Sequence, residues 1–110
     1  MTNNEKMEKY KGSAMTQLNN AGVKDIDVSL LDNLVDRMKN MIDNRDATLV
    51  STSDEKELET VYRNFVKKKL EVDDKERGMK AIHHVADKMK GERNKNRAAF
   101  YYMVQKELKK

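Results

Sequence analysis

The chain has 110 residues, a net charge of +4, and neither cysteine nor proline. This length fits one domain, and the lack of cysteine excludes disulfide frameworks, thiolate nucleophiles and zinc sites of the cysteine type. No apolar run approaches the ~20 residues of a membrane span, and the charged first ten residues do not resemble a signal peptide. We therefore expect a single domain over residues 1–110 that is cytoplasmic and does not contact membranes.

The hydrophobic core is expected to be thin. Charged residues make up 38% of the chain, whereas Leu, Ile, Val and Phe together number 22, which is little apolar material for a domain. Eight methionines add to the apolar material, and the small net charge gives little self-repulsion, so both favour folding over disorder. The composition therefore predicts a small folded domain with a methionine-rich core.

Apolar residues at three- and four-residue spacing predict three helices in the first part of the chain. The first helix ends at Gly22, and the second begins at Ser29. The third begins with Thr52 and Glu55 as a capping-box pair. Its apolar stripe is broad and consists of Leu58, Val61, Tyr62, Phe65, Val66 and Leu70.

Two more helices are predicted toward the carboxyl end. The fourth begins after Asp73 or Asp74 and stops at Gly91, and the fifth begins near Asn94 or Asn96. The large apolar residues of the fifth helix are Phe100, Tyr101, Met103, Val104 and Leu108. The predicted core consists of the densest large apolar faces in the chain: Leu58, Val61, Tyr62, Phe65 and Val66 of the third helix, buried together with Phe100, Tyr101 and Val104 of the fifth.

Strands are not predicted. Residues 25–28 alternate between acidic and apolar side chains over too few positions, and Leu49–Val50 is a pair rather than a run. Residues 43–53 form the longest stretch predicted to be non-helical, with the Leu49–Val50 pair against the core. The sequence therefore predicts an all-α fold, a compact array of four or five helices without a sheet.

Positive charge is concentrated in the second half of the chain. Residues 1–54 hold seven Lys and Arg against nine Asp and Glu, whereas residues 55–110 hold sixteen against ten. In one interpretation, the basic carboxyl-terminal region and its aromatic residues bind phosphates and stack bases. In the other, the aromatic residues belong to the core and the lysines complement the helix dipole.

Arg93, Lys95 and Arg97 are the candidate residues for binding an anion or nucleic acid. They surround the predicted start of the fifth helix, where free N–H groups and basic side chains both favour an anion. Alternatively, Asn94 caps this helix and Arg97 pairs with a carboxylate elsewhere.

Residues with catalytic or metal-binding chemistry are few. His83 and His84 are the only histidines, and neighbours on a helix point about 100° apart, so both do not readily ligate one metal. The sequence has no Gly-x-Ser-x-Gly nucleophile elbow and no glycine-rich phosphate loop. We therefore expect a protein that is not an enzyme and that holds no metal or cofactor.

Two segments carry a pattern that helical periodicity does not explain. The first is DATLV at residues 46–50 with ELETV, NF and KKL at residues 57–70, and the second is RNK, RA and FYY at residues 93–102. Over residues 42–104 the chain resembles a family of small bacterial proteins classed as a domain of unknown function. The resemblance implies a small, soluble, helical cytoplasmic protein and brings no activity or ligand. Glu71 departs from it, because the family tends to have glycine there.

Two functions follow from these observations. The first is a non-enzymatic protein-interaction module, because a chain with few apolar and many methionine residues leaves apolar surface to complete against a protein partner or a second copy. The alternative is a nucleic-acid- or anion-binding module that uses Arg93, Lys95 and Arg97. Glu92 weakens this alternative, because it places a negative charge beside Arg93.

Overall fold

Six α-helices, two short helical segments of other kinds and one small β-ribbon make up residues 2–110, the part of the chain that the computed structural model describes. In chain order the elements are α1 (Asn3–Asn20), α2 (Val28–Asp36), a 3₁₀ turn (Lys39–Met41), α3 (Arg45–Thr48), β1 (Leu49–Val50), α4 (Glu55–Val61), a π-helical segment (Tyr62–Lys67), α5 (Lys75–Lys88), β2 (Lys95–Asn96) and α6 (Arg97–Glu107).

The predicted fold class is confirmed in its main point, because 66% of the protein is helical. Two details of the prediction are wrong. The described residues contain six α-helices rather than four or five, because the four-residue helix α3 forms in the stretch predicted to be non-helical. A sheet is also present, since β1 pairs antiparallel with β2, with Leu49 opposite Asn96 and Val50 opposite Lys95.

Acidic and amide side chains begin the helices. Asp74 caps α5 and Asn96 caps α6, in agreement with the sequence, and each side-chain oxygen accepts a backbone N–H of the first turn. The predicted capping box at Thr52 is wrong, because Asp54 caps α4 instead and accepts the N–H of Lys56 at 3.0 Å. Asp54 stands directly before the helix, where a short acidic side chain reaches the free N–H groups.

Three helix ends use a residue in the left-handed conformation, at Gly22, at Glu71 and, after α6, at Lys109. Gly22, at φ 89°, ends α1 as predicted, and the backbone hydrogen bonds of a Schellman motif close this end. Glu71, at φ 59°, follows the π-helical segment, and the N–H of Val72 then donates to the carbonyl of Val66 at 3.1 Å. The chain therefore makes this turn without glycine, at a conformational cost of about 1 kcal/mol.

The core is one cluster in which α6 packs against α1, α2 and α5, and the α4–π-helical segment packs beside Tyr101 of α6, as the two apolar stripes predict. Phe65 and Tyr101 stack face to face, with ring centroids 4.0 Å apart and an angle of 9° between the planes. Of the predicted core set, Tyr101 is half-buried and the others are buried: Leu58, Val61, Tyr62, Phe65, Val66, Phe100 and Val104. Within residues 2–110, Val28 is the one large apolar residue that is exposed. The apolar surface expected to remain for a partner is therefore small.

Gly78 allows α5 to approach the π-helical segment closely. A Cβ atom at Gly78 would lie 2.6 Å from Cε1 of Tyr62 and 3.1 Å from Cγ1 of Val66. The Tyr62 ring does not yield easily, because its hydroxyl donates to the carbonyls of Val72 and Asp73.

We expect Gly78→Ala to lower the free energy of unfolding by about 1–3 kcal/mol, because the overpacking outweighs the gain in helix propensity. Gly12 in α1 is the matched control, since a Cβ there meets no atom within 4 Å. Gly12→Ala should raise the free energy of unfolding by about 0.5–1 kcal/mol. Denaturant melts followed by circular dichroism measure both changes. If both substitutions changed the free energy of unfolding in the same direction, the close approach at Gly78 would be contradicted.

Candidate functional site

The β1–β2 ribbon positions all three predicted site residues. It is held against α1 by Gln17, a buried side chain whose Nε2 donates to the carbonyl of Asn94 at 2.7 Å. The same amide accepts the N–H of Asn96 through Oε1 at 2.8 Å. Because both ends of one amide bind the β2 backbone, the loop that carries Arg93 and Lys95 has a fixed path.

Two backbone N–H groups in the first turn of α6 have hydrogen-bond acceptors within the protein. The Asn96 side chain is buried and accepts the N–H of Ala99 at 3.0 Å, and the Tyr10 hydroxyl accepts the N–H of Ala98 at 3.2 Å. Tyr10 also donates to the carbonyl of Thr48 at 2.6 Å, and burial raises the pKa of Tyr10 to about 12, so this donor keeps its proton. These two N–H groups are therefore not free to bind an anion.

Arg97 connects α6 to three other elements. Its Nε donates to the carbonyl of Ala47 at 2.7 Å, and its Nη2 donates to the carbonyl of Leu49 at 2.8 Å and to Glu57 Oε1 at 2.5 Å. Nη1 donates to the Tyr101 hydroxyl at 3.1 Å. Burial lowers the pKa of Arg97, but Tyr101 and Glu57 outweigh it, so the pKa is raised and the side chain stays charged. The guanidinium is therefore bound to protein groups, as the alternative interpretation of Arg97 proposed.

Arg93 and Lys95 lie closer to solvent. Arg93 is exposed in the loop between α5 and β2, and Lys95 is half-buried on β2. Lys95 Nζ donates to the carbonyl of Glu92 at 2.8 Å. The Glu92 carboxylate accepts a hydrogen bond from Asn20 at 2.9 Å, so this acidic group is engaged with the end of α1.

A groove of about 440 Å³ runs beside the ribbon, and we call it the ribbon groove. It is lined by Arg45, Asp46, Leu49, Val50, Ser51, Glu57, Arg93, Asn94 and Lys95. Sequence reasoning missed Arg45, which begins α3, because its place on the same groove as Arg93 depends on contacts between distant parts of the chain. Within residues 2–110, neither the Arg45 nor the Arg93 guanidinium has a hydrogen-bonded or ion-paired partner.

A second depression of about 430 Å³ adjoins the ribbon groove. The two share Arg45, Leu49, Arg93 and Asn94, so both exposed arginines border both depressions. The walls that belong only to the second depression are mostly polar: Tyr10, Ser13, Gln17, Thr48, Glu92 and Asn96. The surface around the ribbon is therefore longer than either depression alone.

The remaining lysines of the basic region lie elsewhere. Lys106 and Lys109, near the carboxyl end of α6, line a separate groove of about 560 Å³ together with Lys24 and Lys88. Lys106 is 3.7 Å from the Asp27 carboxylate. The structure therefore divides the basic region between the two ends of α6.

The two histidines are exposed and face different partners. His83 Nε2 lies 3.0 Å from Glu55 Oε1, at the start of α4. His84 Nδ1 lies 2.9 Å from Glu107 Oε1, at the end of α6. Over residues 2–110, no three His, Cys, Asp or Glu side chains group in a way suited to a metal ion.

These features define a small helical protein with a polar groove that is bordered by a two-residue ribbon. Over residues 9–110 the chain matches a family described as "Protein of unknown function (DUF2853)", and it belongs to this family. The match confirms the resemblance to a domain of unknown function and extends it to most of α1 and to the carboxyl end of the chain. No curated protein matches the chain. Within residues 2–110, no helix has both the length and the apolar character needed to cross a bilayer.

Proposed function

We propose that the protein is a non-enzymatic protein-interaction module and that its partner binds in the ribbon groove. The observation that carries this proposal is the contrast between the arginines around the ribbon. Arg97 is fixed by four hydrogen bonds, whereas Arg45 and Arg93 border the groove with their donors unused by residues 2–110. Donors that folding leaves unused are available to a partner.

The groove is supported by a rigid base. Gln17 fixes the β2 backbone, and Arg97 holds the carbonyls of Ala47 and Leu49. A surface that is already ordered loses little conformational entropy when a partner binds, so more of the contact energy contributes to affinity. Only the exposed side chains of Arg45 and Arg93 then have to be ordered when the partner binds.

The lining of the groove favours a protein over a nucleic acid. Among the described residues no aromatic side chain lines it, so it offers no platform for stacked bases. Tyr10 borders only the adjoining depression, where its hydroxyl is bonded to the backbone of Thr48 and Ala98. Tyr101 nearby is stacked on Phe65 and bonded to Arg97. Two exposed arginines and one lysine also offer few contacts to a phosphate backbone, which nucleic-acid-binding proteins commonly hold through many basic side chains.

The test is partner capture by crosslinking and mass spectrometry in native lysate. We expect the wild-type protein to recover a protein partner that resists nuclease treatment, and Arg45→Glu with Arg93→Glu to lose that partner. Lys68→Glu with Lys80→Glu is the matched control, because it changes the net charge equally at exposed positions outside the groove. Circular dichroism melts of both double variants establish that they fold.

Two outcomes would contradict the proposal. Equal recovery by both double variants would place the partner away from the ribbon groove. Loss of recovery after nuclease treatment would favour the alternative function, nucleic-acid binding. The lysine-lined groove at the carboxyl end of α6 would then be the first surface to test, since lysine binds phosphates as a point charge.

A further inference from the structure

We infer that the ribbon groove binds an extended acidic peptide segment, with its carboxylates paired to Arg45 and Arg93. This inference rests on the proposed function and adds the chemistry of the partner. It follows from the net charge of the groove, the geometry of its two exposed arginines and the shape of the surface that they border.

The charge of the groove is positive once its internal ion pair is taken into account. Glu57 lies 2.5 Å from Arg97 Nη2, so these two charges offset each other. Three basic side chains, Arg45, Arg93 and Lys95, then remain against the Asp46 carboxylate, and against that of Glu92 where the surface continues into the second depression. The open part of the groove is therefore cationic and attracts a ligand with carboxylates.

The two exposed arginines determine what kind of anion fits. A guanidinium presents parallel N–H donors that match the two oxygens of a carboxylate, and such charge-assisted pairs are stronger than neutral hydrogen bonds. Lys95 contributes less, because its Nζ already donates to the Glu92 carbonyl and its stem is half-buried. The ligand therefore needs at least two acidic side chains, one to pair with each guanidinium.

The shape of the surface favours a chain over a single small anion. Arg45 and Arg93 border two adjoining depressions of about 440 and 430 Å³, so a ligand bound to both arginines lies across the boundary between them. Ser51 and Asn94 supply a hydroxyl and an amide along this path. These groups suit a peptide backbone, which carries donors and acceptors alternately.

The inference is tested with a labelled eight-residue peptide of alternating glutamate and serine, and with the same peptide carrying glutamine for glutamate. Fluorescence anisotropy should show the glutamate peptide binding the wild-type protein at least about tenfold more tightly than the glutamine peptide, since each charged pair contributes more than a neutral one. Arg45→Gln with Arg93→Gln should lower the affinity for the glutamate peptide by about tenfold or more. The control Lys68→Gln with Lys80→Gln should change it by less than about twofold, because these exposed charges act only at long range.

The outcomes separate this inference from the proposed function. Equal binding of the two peptides, or equal effects of the two double variants, would overturn the acidic-peptide assignment. If lysate capture still depended on Arg45 and Arg93, the protein-interaction function would stand with a partner of other chemistry. A labelled DNA duplex that bound more tightly than the glutamate peptide and lost affinity in the same groove variant would assign the groove to nucleic acid instead.

Discussion

Replacing Arg97 with methionine is expected to lower the free energy of unfolding by about 2–4 kcal/mol, somewhat less than the loss for a fully buried ion pair, because the Glu57 side chain is 26% exposed. The side chain is only 13% exposed, and methionine keeps much of its apolar stem. The substitution leaves the Glu57 carboxylate without its partner and removes the donors to the carbonyls of Ala47 and Leu49. Buried acceptors without donors are costly, and this cost dominates the expected loss.

Arg93→Met is the matched control, because the same chemical change four residues away affects an exposed side chain. Its effect on the free energy of unfolding should stay within about 0.5 kcal/mol. The loss of unfolding free energy for Arg97→Lys should lie between those for Arg97→Met and Arg93→Met. An ammonium group keeps the charge but does not reproduce the arrangement of four hydrogen bonds. Denaturant melts measure all three, and a similar small loss at Arg97 and Arg93 would show that the contacts of Arg97 do not stabilise the fold.

The helices and the main core could be predicted because their signals are local. The apolar stripes of the third and fifth predicted helices follow from three- and four-residue spacing, and the structure buries nearly all of their residues. The sequence predicts two alternative caps for each of the last two helices, and the structure uses Asp74 and Asn96. Caps can be predicted because a cap side chain binds the N–H groups of the turn that directly follows it. The error at Thr52 has the same origin, since Asp54 offers an equivalent oxygen two residues later.

The ribbon and the groove could not be predicted, because they depend on contacts between distant parts of the chain. A two-residue strand such as Leu49–Val50 has no measurable periodicity, and its partner Lys95–Asn96 gives no strand signal either. Arg45 and Arg93 are far apart in the chain, and only the folded structure shows that they line one groove. The charge pattern did identify Arg93, Lys95 and Arg97, but whether an arginine is bound within the fold or remains available depends on which carbonyls lie near it.

Tyr101 links the arginine site to the core. One face of its ring stacks on Phe65, and its hydroxyl accepts a hydrogen bond from Arg97. The Arg97 guanidinium carbon also lies 5.7 Å from the centre of the Tyr101 ring. A change at Phe65 therefore affects the support of Tyr101 and, through it, one of the contacts that fix Arg97.

Phe65→Ala is accordingly expected to lower the free energy of unfolding by about 3–5 kcal/mol, a large share of the roughly 5–15 kcal/mol available to such a domain. Phe65 is only 2% exposed, so its removal leaves a cavity and takes away the stacking surface of Tyr101. Val28→Ala is the control, because Val28 is 44% exposed at the start of α2 and should change the free energy of unfolding by less than about 0.5 kcal/mol. A loss below about 1 kcal/mol for Phe65→Ala in denaturant melts would contradict the position of Phe65 in the core.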